Sequence, residues 1–354
     1  MDDELEKLGK DFVSTLRNIP LDELSISDYN KKYIRRMLPK MEYYADIYLN
    51  VIDFYCLTVD GFPYDHPVVD YGGGHGFLSI LLKTLGAKHV IYVDNNPQSV
   101  EAAKAIKDHV GKGADVFICG EEEDLIEWCQ NNEVKPSLLL GFDVIEHIYD
   151  LDKYFDNLFT AFPDMDHSYT TASVEKNIFK TRKLKKQMYL DEYGTDTKQG
   201  YFDIRKQFIK NEFPALTDEE AHLWAADTRG MNYKDILLTV SLKMDVTPKD
   251  DYNTCNPETG SWTERILPEQ EYRDLISRHG GGLFILPGKY NKSHKGIKKI
   301  VAKILNRLMR KEYFRQRLQP FIFLYIQGPN NHKKAMERLL NCILSGSYYL
   351  EDYE

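Results

Sequence analysis

The sequence predicts an α/β fold: a doubly wound, mostly parallel sheet with a helical N-terminal cap and a helical insertion. Three observations carry that expectation. From Pro67 onward, short apolar runs alternate with amphipathic ones, which is the pattern of βαβ units. One such run, VVDY at 68–71, leads directly into a glycine turn and an apolar helix. Finally, the 354 residues are about twice the ~100–200 of a typical domain, so a single sheet leaves much of the chain to additions.

The additions come first in the chain. Leu8, Phe12 and Leu16 recur at four-residue spacing, and a second apolar run spans 33–56, so residues 1–60 are expected to form a helical cap. Strands are expected at 68–71, 89–94, 115–119, 137–142 and 167–174, with helices near 77–85, 97–110, 121–131 and 150–161. Pro97 suits a first helical turn and Gly86 the turn after a crossover helix. The alternation then lapses over 175–262, a stretch of helix formers, tyrosine and lysine. This insertion falls beside the active edge of a doubly wound sheet and is expected to act as a substrate lid. Its Tyr189, Tyr193, Tyr201, Phe202, Trp224 and Tyr233 suit either a pocket lining or the insertion's own core. A helix at 268–279, a strand at 283–288 and a strand at 320–328 complete the core, taken as 61–174 plus 263–330. Residues 331–354 are expected to form a short helix (332–344) and an acidic tail.

Composition narrows the class. With 42% hydrophobic and 12% aromatic residues the chain is not of disordered type, and no run approaches the ~18–20 apolar residues of a membrane span. The N-terminus, MDDELEKLGK, lacks the basic and apolar regions of a signal peptide. Cys56, Cys119, Cys129, Cys255 and Cys342 are odd in number and widely spaced, without a CxxC pair, so a reducing cytoplasm is expected. Net charge is −9, which disfavours nucleic acid as a partner. One segment reverses that sign: residues 289–317 hold eleven basic residues against Glu312 alone, leaving −19 on the rest. There Ile297, Ile300, Val301, Ile304, Leu305, Leu308 and Met309 recur at helical spacing. The first expectation is a core helix packing this face on the sheet. The alternative is a surface helix meeting an anionic membrane or an acidic ligand, with peripheral membrane attachment.

The chemistry is concentrated in Asp70-Tyr71-Gly72-Gly73-Gly74-His75-Gly76. Glycine permits positive φ and lets a ligand lie against the backbone. Asp94 ends the second strand, where a carboxylate beside the first loop can accept ribose hydroxyls, and Asn95 adjoins it. Asp70 discriminates between ligands. It would repel the pyrophosphate of a dinucleotide, whereas it would stabilise an ammonium or a sulfonium. The spacing agrees, because the third glycine of GxGxxG is replaced by Phe77 or Ser79 in either alignment.

As written, D-x-G-x-G-x-G resembles the first motif of class I S-adenosylmethionine-dependent methyltransferases, whose fold is a seven-stranded Rossmann-like sheet. The resemblance covers about 66–174 and 262–328. It implies S-adenosylmethionine as cofactor, with Asp70, Gly72, Gly73, Gly74 and Gly76 at its methionine end. Asp94 and Asn95 would meet the ribose and Glu121 the adenine amino group. Phe142 to His147 looks most like the E-x-x-E-H segment of ubiquinone-biosynthesis O-methyltransferases and small-RNA 2′-O-methyltransferases, where cofactor and substrate meet, which implies Asp143 and His147 as catalytic residues facing the acceptor; an imidazole titrates near neutrality, so His147 is alternatively a general base. In those relatives the segment also holds magnesium. Here Asp143 replaces the first glutamate, and the plain alternative, that Glu146 and His147 are structural residues at a helix start, is preferred, so no residue is assigned to a metal. Asp94 suits an ordinary helix N-cap as well, and Glu121 a negative first turn complementing a helix dipole. The expected reaction is methylation, at oxygen before nitrogen, of a small-molecule or lipid-linked acceptor. The alternatives are an NAD-dependent oxidoreductase and a non-catalytic scaffold that binds a partner through the basic helix.

Overall fold

The computed structural model describes residues 3–59, 64–292 and 295–331. The helix and tail expected after 331, with Cys342 and His294, lie outside the described residues. In chain order the strands are β1 Val68–Tyr71, β2 Val90–Asp94, β3 Val116–Cys119, β4 Leu138–Phe142, β5 Asp166–Thr171, β6 Thr254–Cys255, β7 Trp262–Glu264, β8 Gly282–Pro287 and β9 Ile322–Gln327. Seven of them form one sheet in the order β3-β2-β1-β4-β5-β9-β8. The first five are parallel, and β9 runs antiparallel between β5 and β8.

These strands are legible because both faces of the sheet are covered, which turns each parallel strand into an unbroken apolar run. Alternate residues serve opposite cores. Val68, Val90, Tyr92, Leu138 and Leu140 join the core on one face, and Val69, Ile91, Val93 and Leu139 the core on the other. The first face is covered by α1 (Asp3–Arg17), α2 (Asp28–Met37), α3 (Met41–Val59), α4 (Phe77–Thr84) and α5 (Pro97–Val110). The second is covered by α6 (Glu122–Asn131), α7 (Leu151–Ala161) and, later in the chain, the helix Glu269–Arg278. The N-terminal helices are thus part of the main core. Phe54 of α3 meets Tyr325 of β9 edge-on at 4.9 Å, and Tyr325 donates to the buried Asp166 at 2.8 Å.

The insertion contributes α8 (Ile178–Tyr193), α9 (Tyr201–Glu212), α10 (Asp218–Asp227) and α11 (Tyr233–Ser241), around a small core of Ile209, Ala221, Ala225, Ile236 and Val240. Phe202, Trp224 and Tyr233 pack on that core, while Tyr189 and Tyr193 are exposed. The β6–β7 hairpin was not expected. Its strands of two and three residues are too short to show a period.

After α12, the helix Glu269–Arg278, come α13 (Ile297–Leu308) and α14 (Glu312–Leu318). Here the first expectation is overturned. The apolar residues of α13 do not pack on the sheet: Ile297 is 79% exposed and Ile300 59%, and Ala302 is the one residue of the helix that is buried. No helix among the described residues is long and apolar enough to cross a membrane.

Candidate active site

Strand order reverses between β1 and β4, and ligands of open parallel sheets bind outside the strand ends at that point. Register aligns Tyr71 with Val93 and with Gly141, which sets the glycine turn beside the ends of β2 and β4. The turn needs its glycines. Gly72 has φ +66°, and a Cβ there would lie 2.6 Å from Val144. Gly74 has φ +53°, but a Cβ there would meet nothing within 4 Å, because its backbone borders open space. That space is a cavity of about 340 Å³ whose lining includes Asp70, Gly72, Gly73, Gly74, Phe142 and Asp143.

Asp70 is 2% exposed. Its Oδ2 accepts from the Ser79 backbone N–H at 2.9 Å and from the Ser79 hydroxyl at 2.6 Å, tying β1 to the first turns of α4. Burial pushes its carboxyl up to about 7, against the pull of the two Ser79 bonds. Ser79, one of the positions where a dinucleotide loop would have its third glycine, is thus a support for this acid.

Asp94, Asn95 and Glu121 lie in a row along the ends of β2 and β3. Asp94 accepts from the Gly74 and Asn96 N–H groups, each at 2.9 Å, and burial raises its carboxyl above the ordinary range. A carboxylate has about four acceptor positions, so two remain after those bonds. Asn95 Nδ2 donates to Glu121 Oε1 at 3.1 Å. Glu121 is exposed at the N-cap of α6, where its N–H donates to Asp124 at 2.8 Å.

At the end of β4, Asp143 is held at φ +53°, and its N–H donates to both the carbonyl and the hydroxyl oxygen of Thr170. Burial, and then Glu264, raise its carboxyl; Lys180 and His147 oppose them. His147 is half-buried, is not part of the cavity wall, and donates from Nδ1 to the Trp262 carbonyl at 2.8 Å. That bond leaves Nε2 as the acceptor in the neutral ring. Glu146 is buried with Oε2 unpartnered, and its carboxyl is pushed well up by burial and by Asp143. Among the described residues no three His, Cys, Asp or Glu side chains are arranged to hold a metal ion.

The cavity's aromatic wall was not anticipated. Tyr33 from α2 and Tyr43, Tyr44 and Tyr48 from α3 close it, and of the insertion only Lys180 reaches it. Tyr33 stacks on His75 of the glycine turn at 5.1 Å, and Asn30 contacts His75 Nε2 at 3.3 Å while donating to the Gln98 carbonyl at 2.9 Å. Burial holds His75 down to about 4, so it is neutral at pH 7. The signal for this wall was the tyrosine-rich 33–56 run. Helical period alone cannot tell which face of it meets a ligand.

The sheet order and the antiparallel penultimate strand are those of the seven-stranded Rossmann-like methyltransferase fold, and an acid before the glycine turn and an acid ending the next strand stand at its ligand-binding edge. Residues 57–124 match the family model of the ribosomal protein L11 methyltransferase, PrmA. The ribosomal protein L11 methyltransferase of Psychrobacter arcticus is 31% identical over 100 residues, which cover 27% of this chain and 32% of that protein. That of Psychrobacter cryohalolentis is 32% identical over 96 residues, 27% and 30% of the two chains. The chain therefore spans about a third of the length of the curated relatives it matches. Among solved structures, the plantazolicin methyltransferase BamL, in complex with a triazolic desmethylPZN analog and SAH, is 13% identical with a TM-score of 0.41, covering 92% of this chain and 99% of its own. A SAM-dependent methyltransferase from Agrobacterium tumefaciens is 15% identical with a TM-score of 0.29, covering 38% and 48%.

Proposed function

We propose that this protein transfers a methyl group from S-adenosylmethionine to an oxygen of a small-molecule or lipid-linked acceptor. The observation that carries the reading is the single cavity that joins the glycine turn and Asp70 to Asp143 beneath four tyrosines. Asp70, with Gly72, Gly73, Gly74 and Gly76, holds the methionine end of the cofactor. Asp94 and Asn95 hold the ribose, and Glu121 the adenine. The cofactor supplies an electrophilic methyl group on a sulfonium. Asp143 receives the proton of the acceptor hydroxyl, its raised carboxyl making it a stronger base than an ordinary aspartate. His147 is a positioning residue, fixed through Nδ1 to the Trp262 carbonyl beside the segment that carries Asp143. The tyrosines exclude water and align the acceptor, which is where methyl transfer gains most.

A polypeptide acceptor is the second reading, taken from the names of the relatives that match 57–124. That stretch holds the glycine turn and Asp94 but none of the tyrosine wall, so it speaks for the cofactor more than for the acceptor. Incubating the protein with methyl-labelled cofactor and a cell extract separates the two. Label is expected in the small-molecule or lipid fraction. Label confined to protein would move the acceptor to polypeptides.

Asp70 gives this reading a pH signature. The unfolded chain loses the Asp70 proton near 3.8 and the folded chain near 7, so this group makes stability fall as pH rises between those values and adds no further slope above them. A ligand ammonium favours the ionised form. Affinity for S-adenosylhomocysteine is therefore expected to rise about 10-fold from pH 6 to pH 8 as Asp70 ionises. In Asp70→Asn the profile should be flat. Calorimetry at several pH values checks both.

A further inference from the structure

We propose that α13 and the basic groove beside it seat this protein on an anionic membrane surface. The apolar side chains left open on this helix are Ile297, Ile300, Val301, Ile304 and Leu308, each 39–79% exposed. Their spacing puts them on one stripe of the helix. Five branched apolar residues on one exposed stripe, with cations alongside, form the pattern of a helix that lies in a membrane interface.

The opposite side of the helix is fastened to the body of the protein. Asn306 accepts from the Tyr290 N–H at 2.8 Å and donates to the Tyr290 carbonyl at 3.0 Å. Ala302 and Met309 are buried on that side. The clamp holds the loop after β8 against α13 and forms a groove of about 390 Å³ lined by Lys289, Lys292, Lys303, Arg307 and Arg310, with no carboxylate in its wall among the described residues. Lys292, Lys303 and Arg307 are exposed. Lys292, Lys303 and Arg307 therefore form an exposed cationic rim flanking an apolar stripe, suited to lipid headgroup phosphates while the stripe enters the acyl boundary.

Charge selects this occupant over the others. A second copy meeting the stripe would bring the same cations against these, and like charges across an interface are unfavourable. A nucleic acid would use the cations but leave the aliphatic stripe in water. An anionic bilayer satisfies both. The seat also adjoins the cavity: Tyr43, part of the cavity wall, donates to the Lys289 carbonyl at 2.7 Å.

Vesicle flotation of the full chain tests the proposal without reference to catalysis. Binding to phosphatidylcholine vesicles containing 30% phosphatidylglycerol is expected to exceed binding to pure phosphatidylcholine at least 10-fold, with each cation near the surface contributing about 5-fold. The double variant Ile300→Glu/Ile304→Glu should lose flotation. Lys303→Glu/Arg307→Glu should lose most of it, together with its salt dependence. All four positions are exposed, so unfolding midpoints should not move, and circular dichroism verifies that the variants are folded. Equal binding to both vesicle types, no binding, or unchanged binding by both variants overturns the proposal. So does a dimer in light scattering that Ile300→Glu/Ile304→Glu dissociates, since the stripe would then be covered by a second copy.

Discussion

Arg205→Met is expected to destabilise the protein by about 3–5 kcal/mol, the cost of leaving a buried charge without its main partner. Arg205 has no exposed surface, and Glu192 is 1% exposed. The guanidinium donates to Glu192 at 2.5 and 3.2 Å and, through Nε, to the Ala225 carbonyl at 3.0 Å. Glu192 also accepts from the Thr254 hydroxyl at 2.6 Å, and Arg229 lies 3.3 Å away. The Arg205–Glu192 pair therefore fastens α8, α9, α10 and the β6–β7 hairpin together. The small core of the insertion cannot offset its loss. Urea unfolding followed by circular dichroism measures the effect. The double variant Glu192→Leu/Arg205→Met should recover most of the stability, because it removes the stranded carboxylate along with its partner. A single-variant loss below about 1 kcal/mol would show that the pair is not what holds the insertion together.

Asp94→Ala is expected to weaken S-adenosylhomocysteine binding by about 100-fold or more. Two charge-assisted bonds at about 1.5–3 kcal/mol each account for that range. The same change leaves the Gly74 and Asn96 N–H groups without their present acceptor, so part of the loss comes from a loosened turn. Asp94→Asn removes the charge and keeps one acceptor oxygen, enough for one of the two N–H groups, so it restores part of the turn. An affinity between those of the wild type and the alanine variant is the expected result. Equal affinity in all three proteins would remove Asp94 from the ribose site.

The core was largely legible. β1 spans the residues expected of it because a strand buried on both faces advertises itself as an unbroken apolar run, and Pro97 and Gly86 stand at the first turn of α5 and after α4 as their backbone preferences dictate. The glycine turn, Asp70 and Asp143 were found in sequence and meet at one cavity, because each lies at or next to a strand end on the same edge. Long-range partners were not legible. Nothing in the spacing shows that Thr254 joins a carboxylate 62 residues away, or that His147 turns to the Trp262 carbonyl. Asp143 adopts positive φ, which no local signal marks. For α13, periodicity revealed an apolar stripe, but a period is the same whether its face meets a sheet, a bilayer or water.

The cavity is expected to bind an adenosyl cofactor bearing an ammonium and not one bearing a pyrophosphate. Calorimetric titration of the full chain with S-adenosylhomocysteine and with NADH at pH 8 tests it most directly. One-site binding of S-adenosylhomocysteine and no measurable heat with NADH are expected, since Asp70, next to the glycine turn, repels a pyrophosphate. Preferential binding of NADH would contradict it and return the chain to the oxidoreductase alternative.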